Sequence, residues 1–321
     1  MLNNVLVPLD GSPLAECVLP HVVAIAKALD SEVTLLNVLE QPSESLRMPK
    51  ADPLDWYLKK TEAEAYLNTV KARLEKSDVS VKTKLIEGRA TEQIVDYAYS
   101  SNADLVILSN CGEQDANRWS MSSIVHQIIQ RIWTSTLIIR IGKPEVTQTD
   151  NLQYHRLMVP LDGSQRAGAT LPIATALAQA HQAELLLVHV VSKPEMPRHM
   201  PLTQEESDLI NRFVERNQEE AAKYLEQLES HLPTDVQTHL LVSDNVAATL
   251  QNFGEQEQID LLILSAHGYS GEARWSYGAI TSRFISDGTI PLLIIQDLPY
   301  ESSEPTSEMT RGDATIGQPA R

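Results

Sequence analysis

Residues 260–296 read DLLILSAHGYSGEARWSYGAITSRFISDGTIPLLIIQ. An apolar run at 261–264 leads into a loop bearing Gly268, Gly271 and Gly278; a helix-like segment follows, and a second apolar run occupies 292–295. The pattern predicts strand, glycine loop, helix, strand. In a parallel sheet such a loop lies at the carboxyl end of a strand, where the N–H groups of the next helix face a ligand. Glycine suits that place because it accepts positive φ and puts no Cβ in the way of a phosphate. A phosphate-bearing ligand is one reading, and plain turn punctuation is the other.

The stretch occurs twice. Residues 104–140 lie on 260–296 without a gap at an offset of 156, with Asp104, Leu105, Ser109, Gly112, Arg118, Trp119, Leu137 and Ile138 among the identical matches. Nearer the start, Val7-Pro8-Leu9-Asp10-Gly11-Ser12 recurs as Val159-Pro160-Leu161-Asp162-Gly163-Ser164 at an offset of 152, which Pro20, Glu32 and Val38 keep with Pro172, Glu184 and Val190. The chain is therefore expected to hold two copies of one domain.

On these residues each copy resembles the universal stress protein family. Its nucleotide-binding members carry a strand-end Asp followed by Gly-Ser, and later G-x2-G-x9-G followed by Ser or Thr. The second copy has Ser265, Gly268 and Gly278-Ala279 at the motif positions; the first has Ser109, Gly112 and Ser122-Ser123. The resemblance runs to about Leu298. It implies an adenine nucleotide, ATP or else AMP or ADP, with any Mg²⁺ carried by the nucleotide. It assigns Asp162 to ribose or adenine, the Val190 backbone to adenine, and Gly268, Gly278, Ala279 and Ile280 to phosphate and ribose. Pro160, Gly163, Ser164, Ser265 and His267 complete that set. The weaker first-copy counterparts are Asp10, Val38, Ser109, Gly112, Ser122 and Ser123. Alanine at 279 removes the family's hydroxyl, a contact worth about 1 kcal/mol, and Ser122 adds a Cβ where a glycine belongs. The first copy is the one expected to be empty or altered. The resemblance also implies that the fifth strands of the two copies meet in an intramolecular pseudo-dimer; pairing of whole chains stays open.

The residues allow plainer readings too. An Asp in Asp-Gly-Ser can simply form a turn and cap the next helix, and both roles can coexist. A valine at a strand end is ordinary core. His267 has no visible catalytic partner in the sequence, so it is expected to shape the loop. The pairs Arg118-Trp119 and Arg274-Trp275 fit surface packing, with the arginine as an alternative phosphate contact.

Along the first copy, residues 5–9, 31–39, 79–86 and 105–108 read as strands. Residues 14–29, 54–76 and 91–100 read as helices. Residues 41–55 read as a loop. Such alternation predicts a doubly wound, Rossmann-like parallel sheet in each of two tandem α/β domains. The expected domains are 1–142 and 154–298, joined by a polar linker at 143–153; the second carries a long helix at 203–230. From Pro299 the composition turns to Ser, Glu, Thr, Pro and Gly, so 299–321 is expected to be a disordered tail.

Chain length and 42% apolar content fit two cored domains. A net charge of −17 speaks against nucleic acid and anionic membrane as partners, and favours local anion capture at a helix end. Cys17 and Cys111, in no metal or redox spacing, fit a reducing compartment. With no signal segment and no apolar run of about 20 residues, the expected location is the cytoplasm. No G-x4-G-K motif, nucleophile elbow, H-E-x-x-H or C-x-x-C occurs, so fast hydrolysis is not expected. Two alternatives stand beside a nucleotide-binding stress protein: a nucleotide-free interaction module, and an enzyme that hydrolyses or transfers phosphate slowly.

Overall fold

A computed structural model describes residues 2–40, 53–110, 123–140, 152–193, 203–269 and 276–297. The expected tail and most of the expected linker lie outside these residues. In chain order the first repeat contributes β1 (Asn4–Pro8), α1 (Leu19–Leu29), β2 (Glu32–Leu39), α2 (Pro53–Glu75), β3 (Val81–Glu87), α3 (Ala90–Ser100), β4 (Leu105–Ser109), α4 (Ser123–Arg131) and β5 (Ser135–Ile139). The second contributes β6 (Arg156–Pro160), α5 (Gln165–Gly168), α6 (Leu171–His181), β7 (Glu184–Ser192), α7 (Gln204–His231), β8 (Val236–Ser243), α8 (Val246–Gln256), β9 (Leu261–Ser265), α9 (Ala279–Asp287) and β10 (Leu292–Ile295).

All ten strands form one sheet in the order β3-β2-β1-β4-β5-β10-β9-β6-β7-β8. Each half is parallel within itself, and the second half repeats the first half's order in reverse. The halves join where β5 and β10 pair antiparallel, with Leu137 opposite Leu293. Continuous apolar runs such as 105–108 and 261–264 fit strands covered by helices on both faces. Alternation along each strand then divides the core in two. Val5, Val7, Leu105 and Ile107 face α1 and α2, while Leu6, Val106 and Leu108 face α3 and α4, and the second repeat follows the same scheme.

The helix expected as a single run over 14–29 is divided, and its counterpart in the second repeat is divided in the same way. A 3₁₀ turn at Ala15–Val18 precedes α1, whose first turn holds Pro20, and Pro172 does the same in α6 after the short α5. Proline has no N–H to donate and is tolerated where the first helical turn needs none. The long helix α7 begins as its sequence allows: Thr203 accepts from Glu206 N–H while Glu206 reaches back to Thr203 N–H, a complete capping box. Among the described residues, no helix is long and apolar enough to cross a membrane.

Helices α1 and α6 meet across the two repeats. There His21 Nδ1 lies 2.8 Å from the hydroxyl of Tyr154, which is 1% exposed, and Tyr154 stacks edge-on against His181. Burial pulls the His21 imidazole down to about 4. The folded protein then takes up this proton near pH 4, whereas an unfolded histidine does so near about 6.5. Between those values the unfolded state binds more protons, so stability that is full above the window is lost as pH falls. Denaturant unfolding at pH 7.5 and pH 5 should show wild type losing about 2 kcal/mol more than His21→Gln over that interval. Equal losses would contradict the assignment.

Candidate functional site

β6 and β9 run side by side and parallel, with Met158 opposite Leu262. Their carboxyl ends open on a cavity of about 490 Å³. That volume lies in the range of roughly 300–1,000 Å³ common to small-molecule sites. Val188 and Val190 of β7, with Val246 and Leu250 of α8, make one wall apolar. Pro160, Leu161 and Asp162 line it at the end of β6; Ser265, His267, Gly268, Gly278, Ala279, Ile280 and Thr281 line it from β9 to α9. The sequence-predicted residues of the second repeat therefore converge, apart from Gly163 and Ser164, which build the turn behind Asp162.

That turn is local chemistry. Asp162 Oδ1 accepts from Ser164 N–H at 3.0 Å, Gly163 adopts φ +80, and Ser164 Oγ caps α5 by accepting from Ala167 N–H at 3.1 Å. Asp162 Oδ2 reaches across to accept from Tyr269 N–H at 2.6 Å. Burial would raise the Asp162 carboxyl, but the bonds from Ser164 and Tyr269 outweigh it and hold its pKa below the ordinary value. A carboxylate has about four lone-pair positions, so capacity remains for a donor from the cavity. Gly268 is needed for a specific reason: a Cβ there would stand 2.4 Å from Asp162 Oδ2.

Gly278 is the N-cap of α9. Its φ is −71, so the positive φ that a loop glycine permits is used at Gly163 and not here. Its N–H donates to Ala266 O at 2.8 Å, and Thr281 Oγ1 donates to Ser265 O at 2.9 Å, which ties the head of α9 to the end of β9. No side chain caps this helix. The first-turn N–H groups have no partner within the helix and carry the positive end of its dipole toward the cavity.

His267 does have a partner that sequence spacing did not reveal. Its side chain is fully buried, with Nδ1 2.8 Å from Asp297 Oδ1, and Arg166 Nε stands 3.1 Å from Asp297 Oδ2. Thirty residues separate His267 from Asp297. They meet because β9 and β10 are neighbours. The pair holds the ring of His267 against Asp297, just beyond β10.

In the first repeat Asp10 Oδ1 accepts from Ser12 N–H at 2.9 Å beside Gly11 at φ +87, the same turn as at Asp162. Val38 packs on the core at the end of β2, Ser109 ends β4 and Ser123 starts α4. Gly112 and Ser122 lie outside the described residues, as do Cys111, Arg118, Trp119, Gly271, Arg274 and Trp275. Next to the paired turns, Asn37 donates to Leu9 O at 2.7 Å. His189 takes the equivalent place in the second repeat, its pKa lowered by burial against the opposing pull of Asp162. Among the described residues, no group of three His, Cys, Asp or Glu side chains is placed to hold a metal.

The sequence model of the Universal stress protein family matches residues 1–140 and 153–296. The chain is similar to Universal stress protein MJ0531 of Methanocaldococcus jannaschii, 27% identical over 146 residues that cover 45% of this chain and 86% of that protein. Universal stress protein MJ0577 of the same organism is 24% identical over 155 residues, 44% of this chain and 96% of its own length. A solved universal stress protein from Archaeoglobus fulgidus aligns over 92% of this chain and 99% of its own, with a TM-score of 0.64 at 16% identity.

The two glycines should behave differently when given a methyl group. Gly268→Ala places its Cβ against a carboxylate held by two N–H groups, an overpacking cost of about 1–3 kcal/mol. At Gly278 the nearest atom would be His267 Cα at 3.5 Å, an ordinary contact, so Gly278→Ala should cost only the exchange of an N-cap glycine for alanine, less than about 1 kcal/mol. Chemical denaturation of both variants measures the difference, and equal stabilities would contradict the account.

Proposed function

This chain belongs to the universal stress protein family, and on that premise we propose that it binds one adenine nucleotide in its second repeat and serves a regulatory or protective role in stress. The observation that carries the reading is the convergence of the Asp162 carboxylate, the Gly268 backbone and the uncapped head of α9 on one cavity. The residues fit the group. The apolar wall of Val188, Val190, Val246 and Leu250 suits an adenine face, and Asp162 retains acceptor capacity for ribose hydroxyls. The head of α9 suits phosphate, because Ala279, Ile280 and Thr281 of its first turn line the cavity and Gly278 keeps its approach free of a side chain. ATP, ADP and AMP share these features, and Mg²⁺ would come with the phosphates.

In this reading residues 1–142 and 154–298 are the two domains, joined by 143–153 and paired within the chain as a pseudo-dimer through β5 and β10. Its place is the cytoplasm. The first repeat keeps the Asp10 turn and the pairing strand but has Ser122 where the motif has a glycine, so its contribution is structural. That same loss favours a second reading, a nucleotide-free interaction module in which the repeats serve only for pairing.

Titration calorimetry separates the two. ATP should bind at one site per chain. Asp162→Ala and Gly278→Val should each weaken binding at least about tenfold, about 1.4 kcal/mol, while Asp10→Ala leaves it unchanged. Two equal sites would refute the asymmetry. Unchanged affinity in a folded Gly278→Val protein would hand the lead to the interaction-module reading.

A further inference from the structure

Helix α9 belongs to the second repeat, yet residues of the first repeat hold both of its ends. At its tail, Arg140 after β5 places Nη2 2.7 Å from both Phe284 O and Ile285 O. Near its head, Ser276 Oγ donates to Gln130 O at 3.3 Å at the end of α4. The Tyr277 phenol, also on the cavity wall, is buried beside Thr136 and Tyr99, and burial pushes its pKa up. Alongside, the Gln296 N–H donates to Ser135 Oγ at 3.1 Å.

The arrangement is one-sided. At the repeat offset Arg140 corresponds to Gln296, and Phe284 and Ile285 correspond to Ile128 and Ile129 of α4. Gln296 Nε2 is buried with no hydrogen-bond partner, so among the described residues α4 has no counterpart of the Arg140 cap. We infer that the first repeat acts as a clamp on α9, with Arg140 as the positioning residue that keeps the head of α9 in place for an anionic ligand of the second repeat.

A helix of nine residues has little stability of its own, so its ends decide how well it is held. Phe284 O already accepts from Gly288 N–H at 3.0 Å, so the guanidinium adds a second bond there, supplies one to Ile285 O, and places a positive charge at the negative end of the dipole. An anion at the N-terminus acts on the same dipole from the other side. A frayed tail would loosen the turn that places the N–H groups of Ala279, Ile280 and Thr281 at the cavity. On this account the repeat that lost the glycine motif persists as part of the other repeat's site.

The clamp's importance for ligand binding rests on the nucleotide reading, but its effect on α9 does not. Hydrogen exchange of the full chain without nucleotide should show amides of 279–287 exchanging at least about fivefold faster in Arg140→Met, with β1, β2 and β3 unchanged. Arg140→Lys, which keeps a cationic donor, should restore slow exchange. ATP titration should show affinity reduced at least about fivefold in Arg140→Met and restored in Arg140→Lys. Unchanged exchange at α9 in Arg140→Met, or faster exchange spread evenly over the sheet, would overturn the clamp. If wild type binds no adenine nucleotide, the functional reading fails while the exchange result still decides the clamp. Should Arg140→Met fail to fold, Gln296→Arg decides: it should slow exchange of the α4 amides, and unchanged exchange there would overturn the proposal.

Discussion

One carboxylate joins the two loops on which the site depends. Asp162 closes its own turn through Ser164 N–H and takes Tyr269 N–H with its other oxygen, so one side chain ties the turn after β6 to residue 269 beyond β9. The contact is close enough to exclude any side chain at 268. The hydrogen bonds it accepts hold the carboxyl's pKa below the ordinary value despite its burial. The parallel sheet makes the meeting possible: β6 and β9 are neighbours, and parallel strands bring both loops to the same edge.

A negative group at that edge would seem a poor host for a nucleotide, the more so on a chain of net charge −17. The two signs are carried by different groups of one cavity. Asp162 belongs to the part of the cavity that offers acceptors to hydroxyl or amino groups, whereas the head of α9 offers only donors. In the proposed function, capture of phosphate by N–H groups and a helix dipole would be short-ranged, so it would operate locally against the field of the whole protein. The His267–Asp297–Arg166 chain adds a buried link between that loop and the end of β10.

Much of this was legible in sequence because repetition removes ambiguity. A single glycine loop is consistent with a turn, but residues 104–140 recurring at 260–296 with the Asp-Gly-Ser turn upstream imply two copies of one α/β unit. The strand order within each half and the convergence of Asp162, Gly268 and Gly278 follow from that unit. Contacts set by strand neighbourhood were not legible. His267 meets Asp297, and Arg140 meets α9, across 30 and 144 residues of chain, and no spacing rule spans such distances. Glycine's reason for being present was also hidden: at 163 it is positive φ, at 268 the closeness of a carboxylate. The divided helices at Pro20 and Pro172 show the same limit, since apolar periodicity continues through a first turn that proline has reset.

The most direct test of the account is native mass spectrometry of the freshly purified chain, which weighs whatever the protein carries from the cell. Nucleotide binding in the second repeat predicts an added mass of one adenine nucleotide per chain, lost in Gly278→Val while the protein stays folded. A chain that carries two nucleotides, or carries none and takes up none when ATP, ADP and AMP are supplied, would contradict it.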